Sequence, residues 1–445
     1  MFRKLVKSLI PKSLFKAIEP YGHLAESVLW QVVMGFPAKG MKVIGVTGTD
    51  GKTTTSTMIY TMLNHAGIKT GLMTTIGYGT PEHWRDNHVH MTTMPTRAML
   101  ARIKELRAEG IEWLVLETTS HALAQNRVWG IPYSLAVMTN VTHEHLDYHG
   151  TFENYRAAKR LLFEHAVANT AGTVQIRGII NADDPSAEFF AQVMGPNFLT
   201  YSLEHGDITA STVIGAGSGS NFEVNVEGGE KYPVQIHLPG IFNVSNALAA
   251  VGVGRALDLN SDQIAVGLGA LKSVEGRMNA IDEGQDFAVI VDFAHTPDSF
   301  EKILSGMRAM AKGRLIVMFG SAGRRDEAKR GKQGASAGKW ADIVVVTEED
   351  DRDIDGEMIM QQIAGGAIGA GKQVDNNLFL VHDRTEAIRF AIGKANAGDT
   401  VLLLGKGHEK TIERADGEHE WDENGSARAA IRERMKMAAG QVTHG

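Results

Sequence analysis

The sequence predicts an α/β protein. A central, mostly parallel sheet surrounds a phosphate-binding loop, a small antiparallel sheet is added to it, and a Rossmann-like C-terminal α/β domain follows. Three observations carry this. Short apolar runs alternate with stretches of helical periodicity over most of the 445 residues. A glycine-rich turn ending in Lys52-Thr53 separates the first such run from the first such helix. From 198 to 238 the pattern becomes short alternating segments, and near 274–280 the strand–helix series restarts.

Taken in order, residues 1–41 are too few for a domain with its own core and read as a short helical segment. The apolar runs at 43–46, 113–116, 135–139 and 178–181 have the length and continuity of buried parallel strands. Helical patterns at 95–108 and 154–168 lie between them. Segments 209–213, 222–226 and 234–238 alternate in polarity and are separated by Gly215-Ala216-Gly217-Ser218-Gly219-Ser220 and Gly228-Gly229. They read as a small antiparallel sheet with flexible turns. Helix returns at 242–257. A second strand series follows at 287–293, 314–319, 343–347, 378–381 and 401–404. The expected division is 1–41, 42–276 and 277–445.

Composition narrows the function. The chain is 43% hydrophobic and 22% charged, as an ordinary soluble protein is. A net charge of −7 argues against a broad nucleic-acid footprint. The absence of cysteine excludes disulfides, thiolate metal sites and a cysteine nucleophile, and suits the cytoplasm. No apolar run approaches the ~20 residues that cross a bilayer. The opening Met1–Ile10 is basic and apolar without the long apolar stretch of a signal peptide. It fits either packing on its own domain or a weak contact with a membrane surface.

The loop Gly48-Thr49-Asp50-Gly51-Lys52-Thr53-Thr54 has the spacing Gly-x-x-Gly-Lys-Thr. Val46 stands where the fuller phosphate-loop pattern has its first glycine. Glycines let backbone N–H groups close around phosphate oxygens, the lysine offsets charge, and the Thr53 hydroxyl can reach Mg²⁺. The competing reading is a glycine turn that only caps a helix. Further polar groups fall at the C-terminal ends of predicted strands, where ligands bind in parallel α/β sheets. Glu117 opens Glu117-Thr118-Thr119-Ser120-His121, and Thr139-Asn140 leads to His143-Glu144-His145. Lys159 follows on a helix with Tyr155 and Phe163. Each alone is ordinary: a hydrogen-bonded histidine, a solvated lysine.

Together, and in this order, the segments resemble the Mur ligase superfamily of ATP-dependent amide-forming enzymes. Within it they are most similar to the branch that adds the third residue of the peptidoglycan stem peptide. The matching motifs include the loop at 48–54, Thr92-Thr93-Met94-Pro95, residues 117–121, 140–150 and 155–159, Leu238 to Asn246, Gly276-Arg277-Met278, Asp292 to Pro297 and Gly405-Lys406-Gly407-His408-Glu409. The resemblance runs from about Lys42 to near residue 435.

The resemblance implies ATP on the loop residues 48–54, with Lys52 catalytic and two Mg²⁺ ions. Thr53 would touch one ion, and Glu117 and His145 the other. Lys159 aligns with a lysine that carries a carbamate and orients metal. Asn243 and Asn246 would face the adenine, and Arg277, Asp292 and His295 would supply nucleotide contacts from the linker and a closing C-terminal domain. Thr92, Thr93, Thr119, Gln125 and Arg127 match positions that hold a muramyl-peptide acceptor. Arg325, Asp350, Arg352, Gly405 and Glu409 would meet the incoming amino acid. The implied chemistry is attack of an acceptor carboxylate on the γ-phosphate, then capture of the acyl phosphate by an amine. Expected partners are the small-molecule acceptor and a diamino acid, with no nucleic acid, in a monomer or dimer.

Four departures qualify the likeness. Glu349-Asp350-Asp351-Arg352 stands where diaminopimelate-adding relatives carry Asp-Asn-Pro-Arg, which leaves lysine or another diamino acid open. Ser321-Ala322-Gly323-Arg324 departs from the usual glycine pair and Asp, and Thr119 replaces a serine. Only 44 residues precede Gly45, where the family places a UDP-binding domain. The expectation drawn is an acceptor without a nucleotide handle, or weak UDP binding. Alternatives are a folate-polyglutamate or poly-amino-acid ligase, and an ATP-binding scaffold without catalysis.

Overall fold

The computed structural model describes residues 12–87, 91–169, 174–216 and 219–442. Met1–Ile10, where a membrane contact was read, lies outside them, as do Gly217 and Ser218 of the glycine-rich turn. Among the described residues no helix is long and apolar enough to cross a membrane. The chain forms two compact units. The first comprises the described residues of Met1–Thr212, Phe222–Val234 and Val244–Leu271; the second those of Val213–Asn221, Gln235–Asn243 and Lys272–Gly445.

The large sheet uses β1 (Lys42–Thr47), β2 (Thr70–Met73), β3 (Gly77–Gly79), β4 (Trp84–Asp86), β5 (Trp113–Glu117), β6 (Tyr133–Met138), β7 (Gly178–Asn181), β8 (Phe198–Tyr201), β9 (Ile208–Ala216), β10 (Gly219–Val226) and β11 (Lys231–Ile236). Their order is β11-β10-β9-β8-β7-β6-β1-β5-β2-β3-β4. From β2 through β9 across the middle the pairing is parallel, and β2-β3-β4 is antiparallel. The strands expected near 209–213, 222–226 and 234–238 are present, but they form no separate sheet. Tyr201 pairs in parallel with Ile208, so β9 continues the large sheet beyond β8. That four-residue strand gives no distinct pattern in the sequence, and its open ladder is what β9 joins.

The second sheet is β12 (Asn279–Ile281), β13 (Ala288–Asp292), β14 (Leu315–Phe319), β15 (Ile343–Val346), β16 (Leu378–Leu380) and β17 (Thr400–Leu404), in the order β12-β13-β17-β14-β15-β16. Only β12 runs antiparallel to its neighbour. A two-stranded antiparallel ribbon, β18 (Thr411–Arg414) with β19 (Gly417–Glu420), completes the unit.

One close packing contact positions the chemistry. Gly45 lies in the middle of β1, where an added Cβ would come 2.5 Å from Leu162 Cδ1 and 2.8 Å from the Tyr133 ring. Without that Cβ the helix Phe152–Ala168 lies close on the sheet. Its buried stripe is Tyr155, Ala158, Lys159, Leu162, Phe163 and Ala166 at three- and four-residue spacing. Thr151 starts this helix by accepting a hydrogen bond from Asn154 N. Lys159 therefore sits inside an otherwise apolar face directed at β1.

Candidate active site around the 48–53 loop

β1 lies between β5 and β6, with Val46 opposite Glu117 and Thr47 opposite Met138. The parallel register brings the residues after all three strands to one edge of the sheet, at the point where strand order reverses. The loop is tied to the end of β6. Thr49 N donates to Asn140 O (2.8 Å) and Asp50 N to Asn140 Oδ1 (3.0 Å). Asp50 O accepts from Thr139 Oγ1 (2.6 Å) and Asn140 Nδ2 (3.1 Å). Gly51 is left-handed (φ 78°), and a Cβ there would lie 2.4 Å from Asn246 Oδ1. Asn246 also accepts from Thr55 Oγ1 (3.2 Å), so it braces the loop rather than standing apart from it.

The helix Lys52–His65 begins at Gly51 with no side-chain cap. Its first-turn N–H groups have no helical acceptor and sit at the positive end of the helix dipole, which suits an anion. Lys52 Nζ folds back to donate to Thr49 O at 2.6 Å. The Thr49 hydroxyl lies 3.0 Å from Tyr155 OH.

Glu117 is 1% exposed. One carboxylate oxygen, Oε2, accepts from Thr53 Oγ1 (3.0 Å), Thr75 N (3.0 Å) and Thr75 Oγ1 (3.1 Å). Lys159 is equally buried; its Nζ donates to Gly48 O at 2.5 Å and stands 4.4 Å from the Tyr155 ring centre. Burial first, and the charge of Lys52 second, hold its pKa well below the ordinary lysine value. The structure thus brings Lys52, Thr53, Glu117 and Lys159 to the loop.

His145 takes a left-handed conformation (φ 55°) just before the short helix Leu146–His149. Its ring meets His121 edge-on at 4.7 Å and lies 6.2 Å from Tyr155, with Nε2 3.6 Å from Glu144. Among the described residues no group of three or more His, Asp or Glu stands together as a metal cage.

The acceptor candidates cluster beside Glu117. Thr92 Oγ1 accepts from Thr75 Oγ1 (3.0 Å), and Thr93 Oγ1 donates to Glu117 O (3.0 Å) and accepts from Thr119 N (3.0 Å). Thr119 caps the helix Ser120–Ala124. Arg127 is buried, donating from Nε to Gln125 Oε1 (2.9 Å) and from its terminal nitrogen to the carbonyls of Thr93 and Met94. It holds the 93–94 backbone in place.

In the second unit most candidates are engaged by neighbouring backbone groups and side chains. Asp292 accepts from Met278 N and Ala294 N, both at 2.7 Å. Arg277 lies over the Phe293 ring at 4.9 Å, and its Nε is buried with no acceptor among the described residues. His295 Nδ1 is 3.0 Å from Phe293 O. Asn243 Nδ2 donates to Pro239 O at 2.7 Å. Arg325 is exposed. Arg352 is committed to Glu413 Oε2 (2.6 Å) and Gly323 O (2.5 Å). Lys406, 1% exposed, lies between Asp350 (2.8 Å) and Glu409 (2.7 Å). Burial raises the Glu409 carboxyl above its ordinary value, against the pull of Lys406. A Cβ on Gly405 would come 2.6 Å from Glu349 Oε2, a buried oxygen with no hydrogen-bond partner among the described residues.

Three participants escaped the sequence reading. Thr75 follows β2, a strand too short to read, so nothing marked it as a strand-end residue. Lys406 and Glu349 stand within quoted motifs, but only burial distinguishes them from solvated charges.

Residues 46–254 match the family model of the Mur ligase middle domain, and residues 276–407 that of the Mur ligase, glutamate ligase domain. The chain is 39% identical over 423 residues to the UDP-N-acetylmuramyl-tripeptide synthetase of Roseiflexus sp. (strain RS-1), covering 93% of this chain and 83% of the relative. It is 37% identical over 419 residues to the UDP-N-acetylmuramoyl-L-alanyl-D-glutamate--2,6-diaminopimelate ligase of Geobacillus thermodenitrificans (strain NG80-2), covering 94% and 84%. A solved structure of a UDP-N-acetylmuramoyl-L-alanyl-D-glutamate--2,6-diaminopimelate ligase superposes with a TM-score of 0.66 at 29% identity, over 94% of this chain and 83% of that one. At that identity and coverage the chain belongs to the Mur ligase family, ATP-dependent amide ligases of peptidoglycan precursor synthesis.

Proposed function

We propose that this chain joins an amino acid, a diamino acid by preference, to the carboxylate of a muramyl-peptide acceptor at the expense of ATP, in the cytoplasm. One observation carries the reading: an uncapped helix N-terminus and Lys52 converge beside the buried Thr53–Glu117 pair and a buried Lys159 held toward its neutral form. The triphosphate would lie along residues 48–54, with Asn246 bracing the loop. Asn243, Arg277, Asp292 and His295 are assigned to the nucleotide by family resemblance. The part 42–276 would handle nucleotide and acceptor, and the part 277–445 the amino acid.

An acceptor carboxylate oxygen attacks the γ-phosphorus and ADP leaves. Two anions must approach, and Lys52 with the first-turn amides offsets their repulsion. Thr92, Thr93 and Thr119 line the acceptor side, with Arg127 fixing their backbone. The amine then attacks the acyl carbonyl, phosphate leaves, and the nitrogen sheds its proton. Magnesium, one ion reached by Thr53 and a second by Glu117 and His145, would supply further neutralisation of phosphate charge. The hard oxygen donors and a carboxylate gathered beside the loop suit it. Lys159 fits a carbamate, since a buried, neutral amine is the form that captures CO2.

For the amino acid, the carboxylates of Glu349, Asp350, Glu409 and Glu413 outnumber the cations ion-paired with them, Lys406 and Arg352. That excess favours a side-chain ammonium on the substrate. Arg352 already holds Glu413, which weakens a second carboxylate contact there.

The test is phosphate release by purified protein with ATP and Mg²⁺ over a panel of acceptors and amino acids, with product mass. A product joined to lysine or another diamino acid supports the reading. Phosphate release independent of any acceptor, with no amide formed, refutes it.

A further inference from the structure

The segments 349–352 and 405–409 leave the second sheet from strands that are not neighbours. β15 ends at Val346 and β17 at Leu404, and β14 stands between them, pairing with each. The sheet therefore spaces the two loops only through β14. Arg384 bridges them directly. It opens the helix Arg384–Lys394, after the N-cap Asp383. Its guanidinium donates from Nη1 to Glu348 O (3.0 Å) and from Nη2 to Leu404 O (2.8 Å), the carbonyls immediately before the two segments. Its other edge is held by Glu423, at the start of the helix Glu423–Val442. Nε donates to Glu423 Oε2 (2.9 Å) and Nη2 to Oε1 (2.7 Å), and Oε2 also accepts from Trp421 Nε1 (2.7 Å).

The surroundings fix the first of those carbonyls. Gly320 follows β14, and a Cβ there would come 2.7 Å from Glu348 O, so its absence lets that carbonyl cross the end of β14. The Glu348 carboxylate accepts from Arg414 on β18, from Nε (2.9 Å) and Nη2 (2.6 Å), and from Arg384 N (3.2 Å). Both side chains of the Arg384–Glu423 pair are fully buried. A buried ion pair adds little net stability over apolar residues of similar volume, because each charge has lost its water. The planar fork of arginine does fix several acceptors at once, which an ammonium on a flexible stem does not. A guanidinium bonded to the bases of both loops, and anchored on a third element, acts as a spacer between them.

Resting on the assignment of these two segments to the amino acid, we propose that Arg384 is a positioning residue for the amide-forming step. It sets the separation of 349–352 from 405–409, and with it the reach of Asp350 and Glu409 toward the incoming amino acid. The test measures the KM of ATP, acceptor and amino acid for the full chain, for Arg384→Lys, and for the double variant Arg384→Met, Glu423→Gln. The lysine keeps a cation beside Glu423 without the fork. The double variant removes both charges and still offers Trp421 Nε1 an acceptor. In either variant the amino-acid KM should rise at least about tenfold, with the KM of ATP and of acceptor unchanged. A melting curve of each variant shows that it folds. Three results overturn the proposal: an unchanged amino-acid KM in a folded variant, an equal rise in all three KM values, or loss of folding in both variants. A parent that forms no amide refutes the ligase reading and this role with it, whereas an active parent with unchanged variants refutes the role of Arg384 alone.

Discussion

The loop at 48–53 and the segments 349–352 and 405–409 are both dense in charge and glycine, yet they use those groups differently. Around the loop, protein partners hold the backbone: Thr139 and Asn140 take its carbonyl and amides, while the first-turn N–H groups are left for an incoming anion. In the second region the side chains hold one another, with Lys406 between Asp350 and Glu409 and Arg352 on Glu413. The first arrangement is preorganised for a ligand of opposite charge. The second is internally paired and leaves a surplus of carboxylate. A motif of charged residues therefore states which groups are present, while their partners decide which are available.

The contrast breaks most sharply at Lys52. Under the proposed mechanism Lys52→Ala should lower kcat by about 10³-fold, with the melting temperature nearly unchanged because the lysine holds only one loop carbonyl. A variant with near-parental turnover would remove the loop from the chemistry. Lys406→Met should do the opposite. It leaves Asp350 and Glu409 without their cation and should cost about 3 kcal/mol in denaturant unfolding. A stability loss too small to measure would mean that the second region is open, as the loop is.

Lys159→Ala should reduce kcat by about 10²-fold, with partial rescue by a short carboxylic acid that replaces the carbamate oxygens. Failure of rescue, together with no carbamate mass on the parent, would return Lys159 to a purely structural role. Glu409→Gln should raise the amino-acid KM by about tenfold while leaving the ATP KM unchanged, which sharpens the division of labour between the two regions.

A further effect is a pH dependence. Burial, then the charges of Arg277, Lys410 and Lys406, push His408 down to about 3 from 6.5. Between those values the unfolded chain holds a proton that the folded chain does not. Stability from this group is therefore full above about pH 6.5 and declines as pH falls toward 3. His408→Gln should flatten that part of the acid-unfolding curve; an unchanged slope would show that other groups set it.

The parallel strands and the loop were legible because their signals are local. β1, β5, β6 and β7 are uninterrupted apolar runs, and Gly51-Lys52-Thr53 sits where β1 meets its helix. Thr75 was hidden because β2 is only four residues long and contains a glycine. That β9–β11 join the large sheet was not legible for a related reason: alternation reports that a strand has two unlike faces and says nothing about which sheet it joins. The burial of Lys159 beside the loop rests on Gly45, 114 positions earlier, whose missing side chain admits the helix. Contacts of that range carry no signature in either segment alone. Lys406 and Glu349 show the same limit, since their pairing depends on burial that spacing does not encode.

The most direct measurement is the coupling between nucleotide cleavage and bond formation. With ATP, Mg²⁺, a muramyl-dipeptide acceptor and lysine or diaminopimelate, the account predicts one ADP and one phosphate released for each new amide, all three abolished together in Lys52→Ala. ADP formed at the same rate without acceptor or amine, or an amide formed without ADP, would contradict it.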